Sequence, residues 1–93
     1  MIVRYVHERI NQNGSRERLV TEFSKPAILI GRGGDADILL SSRRASPQHA
    51  RIEWVGDALV ISDLGSLTGI RLNSQRVARA HLNDGDRVSI AEL

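Results

Sequence analysis

From Ala27 onward the chain never keeps an apolar period of 3.6 residues for the ten or more positions a helix would need, and this constrains its fold more than any other feature. Short apolar pulses take its place: "AILI", "DILL", "HARIEWV", "ALVISDL", "IRLN" and "RVSI", each divided from the next by Gly, Asp, Asn or Ser. Short strands joined by frequent turns are the pattern of an all-β chain folded as a β-sandwich.

The first third reads the same way. "MIVRYVHERI" and "RERLVTEF" flank "NQNGS", where Asn13 and Gly14 supply the positive φ angles of a tight hairpin. Leu19, Thr21 and Phe23 alternate onto one face of the second strand. "VGD" at residues 55–57 and "NDGD" at residues 83–86 are the clearest later turns, and Asp35, Asp37, Asp84 and Asp86 are expected to organise turns. Trp54 is expected in the core or half-buried on its strand. The 93 residues make a single domain, 1–93, because a chain this short cannot sustain two cores. No repeat, low-complexity tract or linker interrupts it. The last pulse, in "DGDRVSIAEL", has no capping tail, so the domain is expected to be cut from a longer chain or to receive its last strand from a neighbour.

Composition narrows the function. There is no cysteine, hence no disulfide or thiolate chemistry, and no apolar run approaches a ~20-residue membrane span, so a cytoplasmic domain without membrane insertion is expected. His7, His49 and His81 follow no metal-ligand spacing, and "GRGGD" lacks the length and the Gly-Lys-Ser/Thr ending of a P-loop. A triad could be drawn from Ser46, His49 and Asp63, but no nucleophile elbow surrounds Ser46, which precedes a proline. No enzyme, metal or cofactor is expected. The net charge is +2, with the cations dispersed among eleven acidic residues and only one Phe, one Trp and one Tyr, which leaves no stacking platform for nucleic acid.

Binding of a small anion fares better. Of the thirteen cations only Lys25 is not arginine, the side chain whose planar fork matches phosphate. The stretch "GRGGDADILLSSRRASPQH", residues 31–49, puts Arg32 on the loop after a strand and crowds Arg43, Arg44 and Ser46 onto the next one. "GSLTG", residues 65–69, forms a third loop of small residues and hydroxyls. If the three loops share one end of a sandwich, cations and hydroxyls converge on one anion, each good charge-assisted hydrogen bond to it worth about 1.5–3 kcal/mol.

These elements resemble, in order, the pattern of the forkhead-associated (FHA) domain: Gly31-Arg32, Asp37-Ile38-x-Leu40, Ser46-x-x-His49, Asp63-Leu64-Gly65-Ser66, Gly69, Leu72-Asn73 and Leu82-x-x-Gly85-Asp86. The resemblance covers residues 28–91. It implies a β-sandwich of about eleven strands that reads a phosphothreonine in a partner protein. By position, it implies that Arg32 pairs with the phosphate, that Ser46 hydrogen-bonds it, and that Arg44 assists with the phosphate or a downstream acidic residue. His49 would brace the loop that carries the serine, and Gly69 would keep a tight turn.

Three positions depart from the pattern. Thr68 stands where the family carries an asparagine that clamps the backbone of the bound peptide; a hydroxyl is shorter and does not present donor and acceptor on separate atoms. Pro47 replaces an arginine or other polar residue and removes an amide donor. Ser74 replaces the glycine that commonly follows Asn73. The main expectation is a non-enzymatic, phosphothreonine-dependent interaction module of a larger bacterial signalling or secretion protein, possessing further domains as possible partners. The alternative is an FHA-like domain that binds protein or mediates assembly without phosphate, which Thr68 and Pro47 favour.

Overall fold

The computed structural model describes residues 3–10, 14 and 16–90. Among them there are ten strands and no helix: β1 (Val3–Ile10), β2 (Arg16–Phe23), β3 (Ala27–Gly31), β4 (Ile38–Leu39), β5 (Ala50–Val55), β6 (Ala58–Asp63), β7 (Ile70–Leu72), β8 (Gln75–Val77), β9 (Arg79–Leu82) and β10 (Val88–Ile90). The all-β reading holds, with a strand count near the eleven expected.

Three hydrogen-bonded groups result. One sheet runs β4-β3-β5-β6-β9, a second runs β10-β7-β8, and β1 pairs with β2 as a two-stranded ribbon. Register follows hydrophobic alternation, because a slip of one residue would turn every apolar side chain to the wrong face. Ile28 stands opposite Ile52, Ile30 opposite Ala50, and Ile52 opposite Ile61, so one face of the larger sheet is apolar. That face meets Ile70 of β7, and these residues with Ile38 form the buried core. Leu59, Ala80 and Leu82 of the larger sheet and Val77, Val88 and Ile90 of the smaller one pack around it, joined by Phe23 at the end of β2. Burial of each such isoleucine stabilises the fold by about 1.5–3 kcal/mol.

Two strands, β8 and β9, escape the sequence pattern. "QRV" and "RAHL" have no apolar run, yet Val77, Ala80 and Leu82 alternate onto the core while the residues between them are exposed. "DILL" gives a strand of only two residues, Ile38–Leu39, parallel to β3. The β7–β8 connection is a two-residue hairpin with Asn73 at φ 49° and Ser74 at φ 73°, the left-handed pair of a type I′ turn. The turns at residues 55–57 and 83–86 form with Gly56 and Gly85 at positive φ. Trp54 is half-buried on β5. In the ribbon, the β1–β2 register is set and Gly14 has φ 84°, whereas Asn13 and the side chains of His7, Leu19 and Thr21 lie outside the described residues, as do residues 91–93.

Candidate functional site

Arg32 leaves β3 at the end of the sandwich, and the loop that carries Ser46 lies directly against it. The Arg32 N–H donates to the Ser46 carbonyl and the Gly33 N–H to the Pro47 carbonyl, each at 3.0 Å. This approach requires Gly31: a Cβ there would stand 2.0 Å from the Pro47 carbonyl oxygen, a backbone atom with no freedom to swing away. Arg32 Nε donates to the Ala45 carbonyl at 3.0 Å, which aims the guanidinium along the same loop; among the described residues neither terminal nitrogen has a partner. Pro47, which lacks an N–H, therefore contributes its carbonyl to the junction.

His49 is the one fully buried polar residue among those described, at 0% exposure. Its Nδ1 accepts the Ser46 N–H at 3.0 Å, and its Nε2 lies 2.7 Å from the Gly69 carbonyl. A backbone N–H can only donate, so Nδ1 is the unprotonated nitrogen and Nε2–H donates to Gly69. The main chain of His49 continues the ladder on both sides, its N–H donating to the Ile30 carbonyl and its carbonyl accepting the Leu64 N–H. One ring, held at the sheet end, therefore ties the Ser46 loop to the loop at residues 65–69.

That third loop is built around Ser66. Its hydroxyl donates to Asp63 Oδ1 and accepts the Gly69 N–H at 2.9 Å, closing a turn in which Gly69 has φ 76°. Leu67 N–H donates to Ser46 Oγ at 3.1 Å. Among the described residues the Ser46 hydroxyl hydrogen has no acceptor, and the oxygen that bears it is steadied. Thr68 Oγ1 donates to the Arg44 carbonyl at 3.3 Å, so the hydroxyl at the asparagine position is turned toward the neighbouring loop. Arg43 and Arg44 are exposed, and Arg44 N–H is held by Ser42 Oγ at 3.2 Å.

Hydrogen bonds thus bring together the three loops expected to carry the site: Arg32 bonds to Ala45 and Ser46, Leu67 to Ser46, and Thr68 to Arg44, while His49 bridges Ser46 and Gly69. The nearby carboxylates are otherwise engaged. Asp63 holds Ser66, Asp35 accepts from Gln48, and Asp37 accepts the Leu29 N–H at 2.8 Å while pairing with Lys25. Those two contacts, the backbone N–H first, hold the Asp37 carboxyl below the usual carboxylate range. Among the described residues no carboxylate pairs with Arg32, Arg43 or Arg44, so this end of the domain is unneutralised and suited to an anion. No group of three potential metal ligands occurs among them. Ser66, which stands in the sequence pattern without an expected role, is the residue that builds this turn, three residues after Asp63 and three before Gly69.

Comparison with known proteins places the fold in a family. Curated relatives include the transcriptional regulatory protein EmbR of Mycobacterium tuberculosis, 42% identical over 67 residues that make up 71% of this chain and 17% of EmbR. The glycogen accumulation regulator GarA of Mycolicibacterium smegmatis is 35% identical over 71 residues, 76% of this chain and 45% of GarA. The chain thus spans less than half the length of these relatives. Among solved structures, EmbR in complex with a low affinity phosphopeptide superposes with a TM-score of 0.73 at 35% identity, covering 94% of this chain and 22% of that one. An FHA domain from work on phosphothreonine-dependent FHA interactions superposes with a TM-score of 0.70 at 27% identity, covering 95% and 84%. The family model for the FHA domain matches residues 28–91, which take in all three loops and both faces of the core, and the chain belongs to the FHA domain family.

Proposed function

We propose that this domain is a non-enzymatic interaction module that recognises a phosphothreonine in a partner protein. The observation that carries the reading is the backbone junction of Arg32 with Ser46, which sets beside each other a guanidinium whose two terminal nitrogens and a hydroxyl whose hydrogen have no partner among the described residues. Arg32 supplies a bidentate contact to the phosphate and Ser46 a single one, with Arg44 adding charge from the same loop. Thr68 is the peptide-backbone contact, and His49 and Gly69 hold the loops in register. Since these donors are fixed before a ligand arrives, little ordering entropy is lost on binding.

In this reading the domain works as one part of a longer cytoplasmic protein; the relatives it matches are covered to 17% and 45% of their own length. Among the described residues no helix is long and apolar enough to cross a membrane. Titration of the domain and of Arg32→Ala with degenerate phosphothreonine and unphosphorylated peptide pools tests the reading. Phosphate-dependent binding that Arg32→Ala abolishes is the expected result; a folded domain that ignores phosphate sinks it.

The second reading, protein binding without phosphate, draws on Thr68. Its hydroxyl hydrogen is committed to the Arg44 carbonyl, so the peptide clamp is weaker than an asparagine's. In that case the unphosphorylated pool binds as well as the phosphorylated one.

A further inference from the structure

Beside the three loops, the outer face of the small sheet carries two arginines that the site described so far does not use. Arg71 of β7 and Arg76 of β8 stand directly opposite one another in the antiparallel pair, and both are exposed. Like charges in this register destabilise a sheet. Among the described residues neither has a carboxylate partner or a side-chain hydrogen bond. The next residue along that row, on the far side of Arg71, is Ser89 of β10, which is uncharged. Among the described residues, then, this cationic pair is uncompensated.

Arg76 does not project straight outward. Its Nε, Nη2 and Cζ lie 2.9, 2.9 and 3.0 Å from where a Cβ on Gly69 would be, so the guanidinium lies flat over Gly69. Gly69 is two residues before Arg71 on the same face, the diagonal neighbour that a long cross-strand side chain reaches. It is also the residue whose carbonyl accepts from His49 and which follows Thr68. Arg76 therefore places an unpaired cation at the border of the phosphothreonine opening, on the side where Thr68 replaces the clamp.

We propose that Arg76, reinforced by Arg71, binds a second anionic group of the partner, a carboxylate or a second phosphate on the segment flanking the phosphothreonine. The inference rests on the three loops being a phosphothreonine site. An anion here neutralises the repulsion between the two arginines and restores part of the peptide hold lost at Thr68. Selectivity then favours acidic or doubly phosphorylated segments over neutral ones.

The test uses phosphothreonine peptide pools in which one flanking position at a time is fixed as Glu, Gln or phosphothreonine, titrated by fluorescence anisotropy. The proteins are the wild type, Arg76→Gln, Arg71→Gln/Arg76→Gln and the charge-keeping Arg76→Lys. The expected result is a preference for Glu over Gln of about threefold to tenfold at one or more positions in the wild type. It disappears in Arg76→Gln and survives in part in Arg76→Lys, the Gln pools losing less affinity than the Glu pools in Arg76→Gln. A larger gain from phosphothreonine than from Glu, lost in the same variants, identifies the second anion as a phosphate. No Glu preference at any position, or one that persists in the double variant, overturns this inference while leaving phosphate-dependent binding in place. Absence of phosphate-dependent binding by the wild type overturns both together.

Discussion

The Ser46 N–H is received by the ring of His49 at 3.0 Å, and this contact makes a fully buried side chain the foundation of an exposed loop. Because the other ring nitrogen donates to Gly69 at 2.7 Å, two loops from distant parts of the sequence share one anchor. Loss of the ring removes both bonds, leaves a buried N–H and a carbonyl unpaired, and opens a cavity. His49→Ala is expected to lose about 2–4 kcal/mol of stability, read as a fall in Tm of roughly 10 °C or more in a domain of this size. Thermal unfolding followed by circular dichroism measures it; a change below about 1 kcal/mol would show that the ring is dispensable.

Gly31→Ala places a methyl group 2.0 Å from the Pro47 carbonyl oxygen, where only a backbone shift can relieve the overlap. The junction that pairs Arg32 with Ser46 must open. The variant is expected to lose both phosphopeptide binding and stability, since Gly31 is buried and follows the core residue Ile30 on β3. Parallel measurement of Tm and peptide affinity separates the two effects.

Thr68→Asn restores an amide that offers donor and acceptor on separate atoms. One or two additional hydrogen bonds to the peptide backbone are expected to strengthen phosphopeptide binding by about tenfold. Isothermal titration with the same peptide on both proteins provides the comparison. Equal affinities would assign the clamp to another residue.

Ser74 occupies φ 73° in the β7–β8 turn, a left-handed conformation that costs a residue with a Cβ about 1 kcal/mol. Ser74→Gly removes that strain at the expense of a more flexible unfolded chain. The net expectation is a gain of about 0.5 kcal/mol, seen as a Tm higher by a few degrees. A lower Tm would place unseen value in the serine hydroxyl.

Asp37 and Asp86 are expected to contribute to the acid sensitivity of the fold. The Leu29 N–H and then Lys25 lower the Asp37 carboxyl from its ordinary value, and the Asn83 N–H and then the Asn73 amide lower that of Asp86. A carboxyl whose folded value lies below its unfolded one adds stability that is complete above the unfolded value. That stability drains away as pH falls through the folded value. Denaturant unfolding is therefore expected to show stability level near neutrality and falling below about pH 4. Asp37→Asn should be less stable than the wild type by about 1–2 kcal/mol at pH 7, with the difference shrinking toward pH 3. A difference independent of pH would remove the charge from the explanation.

Much of this architecture was legible in the chain. The interrupted apolar pulses announced strands, the glycines at 56 and 85 announced turns, and the order of Gly31-Arg32, Ser46, His49 and Gly69 pointed to the loops. Such features are local: alternation follows from the strand period, and positive φ from the absence of a Cβ. β8 and β9 were hidden because their core-facing residues alternate with arginine, histidine and glutamine in segments too short to show a period.

Local signals could name Arg32, Ser46 and His49 as candidates but not join them. Their convergence depends on hydrogen bonds between segments far apart in sequence: Arg32 to Ser46, Leu67 to Ser46, and His49 to Gly69. The placement of Arg76 over Gly69 is of the same kind, since it follows from the pairing of β7 with β8. The sequence by itself determined the fold class, the turns and the inventory of cations and hydroxyls, because each is written in neighbouring residues. Only the tertiary structure decided which of those groups share one opening and which are already paired, because that depends on register and packing across the sheets.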